Sequence, residues 1–166
     1  MAEEMPDEPG EFDRPPSFFP YDDESPIEEH PASYGEPVEV QVEAVFMTQA
    51  GNDIQRFVML TDGERKLPIV IGPFEATSIT LALEGQQPDR PLTHDLMRTM
   101  IERLDARIDR IVIDDLWGNT YYAKIYLTHD DEEAEIDSRP SDAIALAVRF
   151  EAPIYVADGI LEQTQD

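Results

Sequence analysis

The sequence predicts an α+β domain behind an acidic N-terminal extension. Two observations carry that expectation. Apolar and polar residues begin to alternate abruptly at Val38, and the elements that follow come in blocks, β-β-β-α-α-β-β-β-α-β, without the βαβ alternation of a parallel sheet. A third observation sets the boundary: residues 1–36 hold 12 acids, one cation (Arg14) and seven of the fourteen prolines. Ordering a chain costs on the order of 1–2 kcal/mol per residue, and this segment has few apolar groups to offset it. Residues 1–37 are therefore read as a disordered acidic tail, 38–161 as the domain and 162–166 as a short C-terminal tail. Within the first tail, Phe18, Phe19, Tyr21 and Ile27 are isolated apolar positions.

Val38, Val40, Val42 and Ala44 alternate with Glu39, Gln41 and Glu43, the period of a half-buried strand. Gly51-Asn52-Asp53 supplies a turn into Phe57-Val58-Met59-Leu60, and Asp62-Gly63 supplies another into the alternation of Leu67, Ile69 and Ile71. These segments form a first three-stranded antiparallel meander. Gly72-Pro73 opens a helix in which Ala76, Ile79 and Leu83 recur at helical spacing, and Gly85 stops it. Thr93 is the expected N-cap of a second helix, whose stripe of Leu96, Met97, Met100, Ile101 and Leu104 is expected to face the core. Ile111-Val112-Ile113, the Trp117-Gly118-Asn119 turn, the alternation from Tyr121 to Leu127 and the segment through Ile136 form a second meander. A third helix starts in Ser138-Arg139-Pro140-Ser141-Asp142 and turns Ile144, Ala147 and Val148 inward. Pro153-Ile154-Tyr155-Val156 closes as a short strand, with a fraying end after Gly159. The expected fold is thus two three-stranded meanders with three helices.

Charge narrows the function. The chain carries 37 acids against 12 bases, and the residues after 36 keep 25 acids against 11 bases, a net of −14. That balance opposes broad electrostatic binding to nucleic acid or anionic lipid. Only Lys66 and Lys124 are lysines, a composition that suits a high-salt interior. The absence of cysteine excludes disulfides, thiolate catalysis and Cys-ligated zinc. No apolar run approaches the roughly 18 residues of a membrane span, and the acidic N-terminal segment lacks a signal peptide's basic region, so the expected compartment is the cytoplasm.

Three segments combine polar side chains with a helix start: Ile71 to Glu75, Pro91 to Asp95 and Ser138 to Asp142. Free N–H groups and a partial positive charge at a helix start can seat a phosphate without help from net charge. The bland reading is that the same acids and hydroxyls only cap their helices. Arginines Arg98, Arg139 and Arg149, read as surface residues, would favour the first reading if they gathered around the three starts. The acidic tip Asp130 to Glu133 lacks the spaced ligands and glycine of a calcium loop, and Tyr121, Tyr122 and Tyr126 read as packing residues of a strand.

Together the blocks Leu67 to Gly72 with Glu75-Ala76, Arg90 to Leu96, Ser138 to Ala147 and Pro153 to Val156 resemble the bifunctional nuclease (BFN) domain family, over about Val38 to Leu161. The resemblance implies an α+β fold that tends to dimerise, and nuclease activity on DNA and RNA. Chemistry then distributes roles. A phosphodiesterase must align water, stabilise charge on the phosphorus and protonate a leaving oxygen. Arg139 is the expected phosphate clamp, Asp142 and Asp95 the water-orienting groups or metal ligands, and His94 the acid or base. Thr93, Ser138 and Ser141 are expected to bind substrate. Glu75, Asp95 and Asp142 are the oxygen ligands that would suit Mg²⁺ or Mn²⁺. The alternative is a non-catalytic regulatory or interaction module on a dimeric scaffold.

Overall fold

Short turns fix the two halves of the sheet. The computed structural model describes residues 33–163, so residues 1–32 of the tail expected over 1–37, with Phe18, Phe19 and Tyr21, lie outside the described residues. β1 (Pro37–Ala50) turns through Gly51-Asn52 into β2 (Asp53–Thr61), which turns through residues 62–65 into β3 (Lys66–Ile71). Gly51 and Gly63 take positive φ in those turns, a conformation glycine adopts without steric cost. After α1 (Pro73–Leu83) and α2 (Thr93–Arg103), β4 (Arg107–Trp117) turns through Gly118-Asn119, both at positive φ, into β5 (Thr120–His129), and β6 (Glu132–Ser138) follows. That two-residue turn matches the twist of a tight hairpin. α3 (Pro140–Phe150), β7 (Ile154–Ala157) and α4 (Asp158–Gln163) complete the described chain.

The strands form one seven-stranded sheet in the order β3-β2-β1-β7-β4-β5-β6. β1 does two jobs. Its first four residues pair antiparallel with β7, and from Gln41 on it pairs with β2, with a register shift between Val42 and Ala44. β7 runs parallel to β4, so it joins two antiparallel sets of three into a mixed sheet. The two expected three-stranded sets are thus parts of one seven-stranded sheet, and among the described residues there are four helices where three were expected. The expected fraying end is α4, whose Ile160 and Leu161 are fully buried. Each such side chain contributes about 1.5–3 kcal/mol by leaving water, enough to hold a six-residue helix that lacks intrinsic stability.

One face of the sheet carries the core. Leu67, Ile69 and Ile71 of β3 are buried while Lys66, Pro68 and Val70 between them are exposed, and Ile111, Ile113, Ala123 and Ile125 continue that face. α3 is buried from Ala143 to Ala147 and packs on β4 and β5 as well as on α1 and α2. α2 departs from expectation. Ile101 reaches the core, but Leu96, Met97, Met100 and Leu104 are exposed.

Candidate active site

α1 opens at Gly72-Pro73, α2 at Leu92-Thr93 and α3 at Arg139-Pro140; in each, the third helical residue is an acid, Glu75, Asp95 or Asp142. A carboxylate there faces unpaired N–H groups and the positive end of the helix dipole. In α2, Asp95 Oδ2 accepts the Leu92 N–H at 2.9 Å. The cap is therefore Leu92 and not Thr93, which is the first helical residue and exposed; the helix is closed from its own third position. In α1, Glu75 folds back over Gly72, where a Cβ would overlap its carboxylate. The start of α2 is thus closed by one of the protein's own acids, and Glu75 lies over the start of α1. The three starts nonetheless meet.

Arg139 ties two of them together. Its Nε donates to Asp142 Oδ2 at 2.8 Å, and one terminal nitrogen donates to both Asp142 Oδ1 and Glu75 Oε1 at 3.1 Å. The Arg139 side chain keeps 67 % exposure, so it is anchored at one edge and open at the other. The third start joins through His94, whose Nε2 lies 3.0 Å from Asp142 Oδ1 and whose Nδ1 lies 2.8 Å from Ser78 Oγ of α1. Behind Ser78 sits Arg149, whose side chain is only 5 % exposed. Arg149 donates to Ser78 Oγ at 3.1 Å, to the carbonyls of Ser78 and Ala145, and to Asp95 Oδ1 at 2.6 Å.

Donor counting fixes the direction of this chain. A guanidinium only donates, so Ser78 Oγ accepts from Arg149 and, with His94 neutral, gives its own proton to Nδ1. The ring proton is then on Nε2, aimed at Asp142. Burial pushes the Asp142 carboxyl up, but the hydrogen bonds from Arg139 and His94 outweigh it and hold the group below the ordinary aspartate value. Burial likewise raises Asp95, and Arg149 with the Leu92 N–H brings it below the ordinary value. The array runs Arg149–Ser78–His94–Asp142–Arg139–Glu75, from the core to solvent.

Residues 58–166, which contain this whole array, match the bifunctional nuclease domain family. The chain belongs to that family. An uncharacterized protein of Mycobacterium tuberculosis is 38% identical over 125 residues, 75% of this chain and 74% of that protein. Bifunctional nuclease 1 of Oryza sativa subsp. indica is 29% identical over 93 residues, and Bifunctional nuclease 2 of Oryza sativa subsp. japonica 30% over 101. These matches span 54% and 58% of this chain but only 28% and 31% of the plant proteins.

In this BFN domain Glu75, Thr93, His94, Ser138, Arg139 and Asp142 line one cleft of about 950 Å³, walled by Phe74, Met97 and Ile136. Of the remaining residues singled out in the sequence, Ser141 borders a neighbouring cavity and Asp95 turns inward to Arg149. Arg98 pairs with Glu102 on the outside of α2, so only Arg139 and Arg149 gather at the helix starts, and Arg149 is buried, not a surface residue. Among the described residues no group of three or more His, Asp or Glu is arranged to hold a metal ion. The donor chemistry gives the reason: a guanidinium stands between Glu75 and Asp142, and Asp95 is engaged by Arg149. As arranged, these carboxylates do not fit a shared cation cage. Ser78 is the site residue that sequence reasoning missed, and Arg149, read there as a surface arginine, is a buried one. The available signal was a cation on the inward stripe of α3, four residues after Ala145 and seven after Asp142.

Proposed function

We propose that this BFN domain hydrolyses phosphodiester bonds of DNA or RNA with little sequence preference, at the cleft where the three helix starts meet. The observation that carries the reading is the Arg139–Asp142–His94 array, a solvent-facing guanidinium beside a carboxylate kept anionic and fixed by an imidazole N–H. A phosphodiester entering the cleft competes with Glu75 for the Arg139 terminal nitrogen, whose bonds at 3.1 Å are longer than the Nε bond to Asp142. Asp142 orients the attacking water and accepts its proton. Arg139 neutralises charge that grows on the phosphoryl oxygens as the water oxygen bonds to phosphorus and the ester oxygen leaves. His94 holds Asp142 in place, and the proton that Asp142 takes from the water passes through solvent to the ester oxygen as it leaves. The names of the plant relatives support the class of reaction.

The test is hydrolysis of single- and double-stranded DNA and RNA by the purified chain, in Mg²⁺, in Mn²⁺ and in EDTA, beside Arg139→Ala and Asp142→Ala. Activity lost in both variants is the expected result; activity unchanged in both overturns the reading. Activity that EDTA abolishes would assign Glu75 and Asp142 to a cation, with Arg139 displaced.

A second reading, a non-catalytic interaction module, is favoured by one observation: α2 leaves Leu96, Met97, Met100 and Leu104 exposed on one helix. On this reading a second copy covers that face as a homodimer. Sedimentation of the chain beside Met100→Asp measures it, and a monomeric parent chain would overturn it.

A further inference from the structure

We infer that the substrate lies across this site as a single strand open on both flanks, so that the domain cuts internal bonds and not chain ends. The inference rests on the hydrolase reading above and specifies the substrate that reading leaves open. Arg139 and Glu75 border two cavities at once. One is the cleft of about 950 Å³; the other, of about 490 Å³, lies between β3, the β4–β5 turn and the start of α3.

The two cavities differ in chemistry. The cleft has apolar walls, and Phe74 at its edge is 86 % exposed beside the Arg139–Glu75 pair. An exposed ring beside a guanidinium offers a stacking surface to an unpaired base, a contact worth about 1–3 kcal/mol per base and indifferent to sequence. The second cavity is also largely apolar, through Pro68, Ile69 and Val70, but adds Asn119, Thr120 and Ser141, neutral amide and hydroxyl groups that suit sugar and phosphate oxygens. Both volumes fall within or near the roughly 300–1,000 Å³ of small-ligand pockets, room for a short stretch of unpaired strand on each side. A site walled off on one side would receive only a terminal phosphate. Here the guanidinium stands on the divide, so a phosphodiester seated on it has room for a nucleotide on either side.

The experiment uses the full chain with a covalently closed circle of single-stranded DNA and a linear strand of the same sequence. The expected result is opening of the circle to unit length at a rate comparable to the first cut in the linear strand. An intact circle beside a linear strand that shortens from its ends overturns the inference and leaves the hydrolase reading standing. Neither substrate cut overturns both. Thr120→Trp places an indole in the second cavity from the exposed start of β5. It is expected to lower the ratio of circle opening to hydrolysis of bis(4-nitrophenyl) phosphate by about tenfold, the weight of about 1.4 kcal/mol. An unchanged ratio overturns the two-sided path.

Discussion

Two arginines at the same site have opposite duties, and the difference is burial. Arg149 is buried and all its assigned partners are internal, whereas Arg139 is mostly exposed and bonded along one edge. Ser78 is where the buried half is most sensitive, because its hydroxyl serves Arg149 and His94 at once. Ser78→Ala leaves a buried guanidinium N–H and the His94 Nδ1 without partners, so it is expected to cost about 1–3 kcal/mol in urea unfolding. Ser78→Thr, which keeps the hydroxyl, is expected to recover most of that loss if its methyl is accommodated. Arg139→Ala is expected to do the reverse. An exposed ion pair contributes about 0–1 kcal/mol to stability. A donor aimed at developing charge is worth about 10²–10³ in kcat. A loss of activity of that size with an unfolding midpoint close to the parent separates the two duties; a large loss of stability would make Arg139 structural.

At the scale of elements, α3 carries one identifiable fault. Its C-cap is Glu151 in the left-handed region, φ 53°, a position where helices ordinarily place glycine. The strain of an L side chain there is about 1–2 kcal/mol, part of which glycine returns as unfolded-state entropy. Glu151→Gly is therefore expected to stabilise the chain by about 0.5–1 kcal/mol in urea unfolding, and an unchanged or lower midpoint would refute the strain. The same elements show what a sequence makes legible. Gly51-Asn52, Asp62-Gly63, Gly118-Asn119 and Gly85 mark turns and a helix end because the information is local: a residue either tolerates positive φ or does not. The cap of α2 was misplaced because the closing group, Asp95, lies three residues inside the helix. The apolar stripe of α2 was legible, but periodicity says which residues share a face and not whether anything covers it. The insertion of β7 between β1 and β4 is a pairing of residues more than forty apart, and Ser78 and Arg149 are separated by 71 positions. Glu75, His94, Arg139 and Asp142 were legible as helix starts, but their convergence is a property of the sheet that positions those helices.

At the scale of the whole molecule, charge governs both stability and approach of substrate. Asp62 is held down to about 2, first by the N–H groups of Arg65 and Glu64 and then by the Arg65 side chain. A folded value below the unfolded one, about 3.9, means the contribution is complete above pH 4 and is lost as pH falls toward 2. Asp62→Asn is expected to be less stable than the parent at neutral pH, with the difference closing across that window; a difference constant with pH would refute the linkage. Self-repulsion acts on the same molecule. With 25 acids against 11 bases after residue 36, at least part of the acidic surface has no cation to meet it, even though Arg65, Arg110 and Lys124 are each engaged by acids. Nucleic-acid binders ordinarily lose affinity with salt at a log–log slope of about −0.9 per phosphate contact. On the proposed function, a single guanidinium would attract the strand while a −14 body would repel it over a Debye length of about 10 Å at 0.1 M salt. Screening removes the long-range repulsion before it weakens the close Arg139 contact. The expected outcome is that kcat/KM on single-stranded DNA rises between about 0.02 and 0.3 M KCl, and that the thermal midpoint rises over the same range. A steady fall in kcat/KM from the lowest salt would mean that attraction, from cations this surface does not assemble, governs the encounter.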